Sequence, residues 1–275
     1  MNDVLVYLGS DVKRVRCGLA EAGALDWAVD GQGASGIGHE DESRVLLRKR
    51  PQRCPGSEVL GQTLGDLRTR AFIAQGGSLE LARTPENTQP FRFRHLLFAM
   101  SGSPPALGPR RAEIMAGLPD FLTRNVQGQS EAELVFHRFL THLKDTAHLD
   151  WPVVDIEAGR EALARVAGEL DVWAAQDGEP PPRVAMSVVT SRVLLGASLG
   201  APMWMRSTSG IDACAPCGHG VGWVGVAPRR VSHPDYRALW LRTGAAQAPE
   251  GFEAIPAGGF VGVDARWEVV RRPLR

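Results

Sequence analysis

Apolar and polar positions near the start of the chain point to a strand. Val4, Val6 and Leu8 alternate with Leu5, Tyr7 and Gly9. Both sets are apolar, so the spacing predicts a short strand buried on both faces. A core strand so close to residue 1 is expected to place that end of the chain inside the structure. Residues 13–25 read as a short helix, 31–38 as a glycine-rich loop, 44–50 as a strand and 60–67 as one or two helical turns. Residues 71–74 read as a buried strand, and a loop containing Pro85 and Pro90 follows it. Residues 94–100 form another apolar strand, which Ser101-Gly102-Ser103-Pro104-Pro105 is expected to end.

Two longer helices follow. Ala132, Val135, Phe136, Phe139, Leu140 and Leu143 fall at helical spacing within 130–143, and Leu163, Val166, Ala167, Leu170, Trp173 and Ala174 do so within 157–175. Residues 177–182 read as a turn or linker. Beyond them the pattern is mostly extended, with candidate strands at 184–190, 193–198, 202–206, 221–226, 237–243, 252–256, 260–264 and 266–270. Strands, a helical block and strands again predict a layered α+β sandwich rather than alternating βαβ units. A single domain is expected over 1–275.

Composition narrows the function classes. Lys+Arg and Asp+Glu are 31 each, which leaves no electrostatic footprint for nucleic acid or an anionic membrane. No run is apolar and long enough to span a bilayer. The first residues lack the basic and apolar regions of a secretory signal. Four cysteines in 275 residues are too few for a disulfide scaffold. These features predict a soluble, cytoplasmic protein.

Five short motifs occur in order: Asp30-Gly31-Gln32-Gly33, Thr69-Arg70-Ala71-Phe72-Ile73-Ala74-Gln75, Glu86-Asn87-Thr88-Gln89-Pro90-Phe91, Leu97-Phe98-Ala99-Met100-Ser101-Gly102 and Gly128-Gln129-Ser130-Glu131-Ala132-Glu133. Together they resemble the Asp-Gly-Trp-Gly, Ser-Arg-x-x-x-Ala-His, Glu-Asn-x-His-Pro-Phe, Phe-x-His-Asn-Gly and Gly-x-Thr-Asp-Ser-Glu segments of class II glutamine amidotransferases, an N-terminal-nucleophile family. Residues 236–263 resemble the family's closing strands, with Pro256-Ala257-Gly258-Gly259 like its Pro-x-Gly turn. The subgroup most resembled is the short bacterial amidohydrolases related to the ergothioneine-pathway hydrolase. The resemblance implies a four-layer αββα sandwich.

The same resemblance assigns chemistry to particular positions, and several depart from it. The family nucleophile is a cysteine, which attacks as a thiolate. Its place is taken by Asn2, which has neither thiol nor hydroxyl. The family's substrate-carboxylate anchor is an arginine, suited to bidentate pairing. Its position falls on Gly77, and Arg70 is the neighbouring guanidinium. The oxyanion hole uses an Asn side chain and the next Gly amide, where one donor is worth about 100-fold or more in rate. Here those positions are Ser101 and Gly102. The aspartate that meets the substrate amine corresponds to Glu131. The resemblance with these departures implies a degenerate, non-catalytic binding or regulatory module. Its expected partner is an unidentified protein or a small amide or amino-acid-like ligand. Two alternatives are an active amidohydrolase with a displaced nucleophile or a metal, and a structural subunit of a complex.

Other constellations carry less. Gly31-Gln32-Gly33-Ala34-Ser35-Gly36 matches G-x-G-x-x-G, but the acidic run Glu40-Asp41-Glu42 follows it and would repel phosphate. No organic cofactor is expected. Cys214, Cys217 and His219 could supply three zinc ligands, with a fourth coming from a distant Cys17 or Cys54. The pair could equally be a redox or disulfide pair, or a loop of small residues. Cys17 by itself reads as a buried small hydrophobe. His137 and His142 read as surface or satisfied histidines. Trp204, Trp223, Trp240 and Trp267 fall in extended runs and are expected to pack between sheets.

Overall fold

The computed structural model describes residues 3–30, 33–42, 44–52, 57–77, 84–147, 149–218 and 230–275. The first half contains β1 (Asp3–Gly9), α1 (Val15–Glu21), β2 (Ala28–Asp30), β3 (Ala34–Asp41), β4 (Arg44–Arg50), β5 (Ser57–Val59), α2 (Leu60–Gly65), β6 (Ala71–Gly77), β7 (Phe91–Phe93), β8 (Leu96–Ser103), α3 (Arg111–Ala116) and α4 (Asp120–Thr123). After α5 (Glu131–Leu143) and α6 (Ile156–Asp177) come β9 (Arg183–Val189), β10 (Leu194–Leu199), β11 (Met203–Ile211), α7 (Ala215–Gly218), β12 (His233–Thr243), β13 (Glu253–Ala254), β14 (Gly259–Val263) and β15 (Val269–Pro273). Among the described residues no helix is long and apolar enough to cross a membrane.

The strands form two large antiparallel sheets. One has the order β13-β11-β12-β1-β6-β3-β4 and the other β15-β14-β10-β9-β8-β7, while β2 and β5 pair separately. Side chains alternate across each strand, and this makes the layers. Val4, Val6 and Leu8 of β1 pack with Ile73, Leu239, Leu97, Ala99 and Val261 between the sheets. Leu5 and Tyr7 point the other way, onto Val15, Leu19, Leu60 and Leu64 of α1 and α2. On the far side, Phe98, Met186 and Leu195 meet Phe136, Leu140 and Leu163 of α5 and α6. The result is the four-layer αββα sandwich.

Local chemistry fixes the helix ends. Ser130 Oγ accepts the Glu133 amide at the start of α5, and Asp155 Oδ1 accepts the Glu157 and Ala158 amides at the start of α6. Gly178 closes α6 in the left-handed conformation. Tyr7 lies between Phe72 and Trp240 on the adjacent strands, with ring centroids 5.1 and 4.4 Å away.

Several expectations change. Residues 34–38 belong to strand β3 rather than to a loop, and residues 31–32 lie outside the described segment. The glycines are there because the sheets come close. A Cβ on Gly36 would sit 2.0 Å from the Gln89 carbonyl oxygen. The first helix is shorter than 13–25, since Gly23 turns the chain at φ +65°. The strand expected to end at Met100 continues to Ser103. β11 and β12 are longer than read, because each keeps pairing with the other past the expected ends. The last strand is 269–273, not 266–270, because Trp267 takes φ +66° in the preceding turn. Trp240 is fully buried as expected, but on the helix side of its sheet. Trp223 and the strand expected at 221–226 lie outside the described residues.

Gly36→Ala should lower stability by several kcal/mol, as overpacking of a fixed backbone does. Gly168, inside α6 with nothing within 4 Å of an added Cβ, should gain about 0.5–1 kcal/mol on change to Ala. Urea denaturation midpoints of the two variants check both signs.

Candidate functional site

The positions singled out in the sequence gather at one end of the sandwich, with one exception. Gly77 closes β6 beside Ala34 of β3, and Asp3 at the start of β1 pairs with Gly76. Asp3 is fixed there by Trp27 Nε1 at 3.1 Å and by Arg242 Nη2 at 3.1 Å. Two residues along β3 from Ala34, Gly36 touches the Gln89 backbone. The Gln89 side chain donates to the Met100 carbonyl and accepts the Met100 amide, at 2.9 and 2.6 Å. That pins the end of β8, where Ser101 and Gly102 follow. Asn87 Oδ1 accepts the Gln129 amide at 2.7 Å, which ties the entry of α5 and its first residue, Glu131, to the same region. Asn2 lies outside the described residues, immediately before β1.

Gly102 has φ +101°, and a Cβ there would meet the Arg183 carbonyl oxygen at 2.0 Å. Only glycine fits. Ser101 pairs with Ala185 and Ser187 with Ala99, while Gln75 and Thr243 both pair with Val4. Directly paired residues share a face. Ala99, Ala185 and Val4 all belong to the inter-sheet core, so these four polar side chains face the space between the sheets. Ser101 Oγ, Ser187 Oγ, Thr243 Oγ1 and both polar atoms of Gln75 are buried without a hydrogen-bond partner among the described residues. A buried polar atom left unpaired costs about 1–3 kcal/mol, so this group is a strong demand for polar company. Gln75, Ser187 and Thr243 were not singled out in the sequence. Strand alternation from Val4 would have found the first.

A second group supports this end. Glu133 accepts the amides of Gln127 and Gly128 at 2.8 and 2.7 Å. Burial still pushes its carboxyl above the usual range, against those amides and the nearby Arg111 and Lys49. Lys49, opposite Gly36 in the sheet, donates to the Pro85 carbonyl at 3.0 Å and lies over the Phe91 ring. Burial lowers its ammonium to about 8, although Glu133 and Glu86 oppose the shift.

The exception is Arg70. It precedes β6 at the opposite end of the sheet from Gly77, and its carbonyl accepts the Gly9 amide. It lines a surface cavity of about 560 Å³ with Ser10, Arg14 and His233. Strand geometry separates it from Gly77 by roughly 20 Å, so it cannot replace a guanidinium at the Gly77 position.

The thiols also gather at that opposite end. Cys17 and Cys214 are buried and Cys217 is half-buried, and all three are free. Cys17 packs in the helix-side core as expected of a small hydrophobe, yet its Sγ also lies 3.5 Å from that of Cys217. Burial and the neighbouring thiols push it up to about 12. The histidine beside them is His233, not the one suggested by sequence spacing. His219 and Cys54 lie outside the described residues. His137 is satisfied by the Glu133 carbonyl, and His142 bonds Glu169.

The Lys49 shift sets a pH dependence. A lowered folded value means the folded protein releases its proton first, so stability should rise between about 8 and the ordinary 10.5. Lys49→Met should flatten this part of the stability–pH curve, as measured by urea unfolding at several pH values.

No protein-family model matches the sequence, and no curated protein is similar to it. Solved structures are similar in shape. A glutamine aminotransferase class-II domain protein from Silicibacter pomeroyi superposes with TM-score 0.59 at 12% identity, over 99% of both chains. A predicted glutamine amidotransferase from Pseudomonas aeruginosa superposes with TM-score 0.55 at 13% identity, over 98% of this chain and 96% of that one. The glutamine phosphoribosylpyrophosphate amidotransferase of B. subtilis gives TM-score 0.52 at 13% identity, and this chain spans 49% of its length. At such identities the likeness is one of architecture: the chain has the αββα fold of the class II glutamine amidotransferase domain.

Proposed function

We propose that this chain is a non-hydrolysing protein built on the glutamine amidotransferase fold, a binding or regulatory module whose cleft no longer supports amide hydrolysis. One observation carries the reading: three positions that would do the chemistry lack the groups for it, although the strands that present them persist. Asn2, immediately before β1, offers an amide where a thiol would attack. Gly77 offers no guanidinium for a carboxylate. Ser101 has a shorter donor than asparagine, turned into the inter-sheet layer.

The polar lining suits a small amide or amino-acid-like ligand. Ser101, Ser187, Thr243 and Gln75 provide hydroxyl and amide groups in a buried setting, where such bonds are strongest. A protein partner that closes over this end fits the same module. Metal-assisted hydrolysis at the cysteine pair is less favoured, because that pair lies at the other end of the sheet. The free thiols accord with a reducing, cytoplasmic setting.

The purified chain, incubated with L-glutamine and γ-glutamyl amides, should release no ammonia above the protein-free blank in a coupled glutamate dehydrogenase assay. Asn2→Cys should also stay at the blank, since Gly77 and Ser101 are unchanged. Steady turnover by the wild-type chain would overturn the reading.

A further inference from the structure

Three stretches of chain far apart in sequence bring four metal-type donors together. Cys17 comes from α1, Cys214 and Cys217 from the turn at α7, and His233 from the first residue of β12. One ligand atom from each lies within 4.8 Å of all the others. Zinc–sulfur bonds of about 2.3 Å and zinc–nitrogen bonds of about 2.0–2.1 Å place tetrahedral donors roughly 3.3–3.8 Å apart. The 3.5 Å between the Cys17 and Cys217 sulfurs falls in that range. The others need to contract by about an ångström at most to reach it.

We propose that Cys17, Cys214, Cys217 and His233 hold a tetrahedral zinc ion that fastens α1 and the 214–217 turn to the start of β12. Three thiolates and an imidazole suit a borderline-soft d¹⁰ cation rather than calcium or magnesium. Four protein donors complete the tetrahedron, as in a structural site.

The surroundings fit independently. The Cys217 amide hydrogen-bonds to the Cys214 sulfur, and the Cys214 amide donates to the Val231 carbonyl at 2.7 Å. These bonds set the turn that aims both sulfurs the same way. Arg14 Nη1 lies 3.5 Å from the Cys217 sulfur, so a cation faces a centre whose three thiolates would leave a net charge of about −1 on Zn²⁺. His233 Nε2 is buried with no hydrogen-bond partner among the described residues, unlike a satisfied core histidine such as His137. A Cys17–Cys217 disulfide would account for two of the four residues and leave Cys214 and His233 unexplained.

The site is separate from the cleft. His233 lies ten residues along β12 from Thr243, which pairs with Val4 at the other end, roughly 30 Å of strand. The zinc proposal therefore stands whether or not the chain hydrolyses amides.

Plasma mass spectrometry of the wild-type chain, purified under reducing conditions and dialysed against a weak chelator, should find about one zinc per chain. Cobalt(II) reconstitution should give tetrahedral d–d bands and thiolate-to-cobalt charge transfer. His233→Ala and Cys17→Ser should each lose most of the metal, and His219→Ala should keep it. Stripping the wild type with a strong chelator should lower Tm by several degrees. A folded wild-type chain that takes up neither zinc nor cobalt(II) would overturn the proposal. So would a native Cys17–Cys217 disulfide in peptide mapping, or loss of zinc from His219→Ala with retention in His233→Ala. Because wild-type uptake is measured directly, a variant that fails to fold does not decide the matter.

Discussion

The burial of β1 on both faces governs the rest of the structure. Val4, Val6 and Leu8 enter the inter-sheet layer, and Leu5 and Tyr7 enter the helix layer. Each such side chain stabilises the fold by roughly 1.5–3 kcal/mol when fully buried. Neither face can be supplied by a single neighbouring layer. One requires a second sheet and the other requires α1 and α2, so the strand is stable only as the centre of a sandwich. Its backbone is paired on both edges, with β12 on one side and β6 on the other. The aromatic trio Tyr7, Phe72 and Trp240 spans those three strands and locks their register on the helix side.

A central strand of this kind has two ends with different surroundings. At the Asp3 end the sheets approach closely enough to need glycine at position 36, and buried hydroxyls and amides accumulate between them. At the Gly9 end the chain turns outward through Asp11 and Arg14 into α1, and the thiols meet β12. The two ends lie in one rigid layer but share no side chain that either uses. The cleft can therefore change its chemistry without disturbing the thiol cluster, and the cluster can hold the outer helices without entering the cleft.

Much of the sandwich was legible because long strands and amphipathic helices write their period into the sequence. The helices at 131–143 and 156–177 and the strands at 44–50 and 183–189 depart from the expected bounds by a residue or two. β3 was missed because close packing demands glycines, and glycines in sequence look like a loop. The seven-residue β1 showed its two buried faces, but the polar residues paired to Val4 from other strands could not be seen without the register. The metal-type cluster was half visible. A Cys-x-x-Cys spacing is local, whereas Cys17 and His233 are brought in by sheet order, so the nearest histidine in sequence was the wrong one to favour.

The motif residues that match the amidotransferase segments share a property. Gly102 is required because any side chain would strike the Arg183 carbonyl. Asn87 holds the Gln129 amide, and Gln89, standing at a family histidine position, holds both polar groups of Met100. Ser130 and Glu133 cap α5 and its approach. Each of these has a structural task in this molecule that does not depend on any substrate. Asn2, Gly77 and Ser101, where the chain departs from the segments, have no such task that the structure describes: Gly77 has no side chain and Ser101 Oγ has no partner. Residues that hold the fold and residues that would hold a substrate are thus separable here. The likeness survives on the first kind and fails on the second, which is the pattern expected when packing still constrains a chain and amide hydrolysis no longer does.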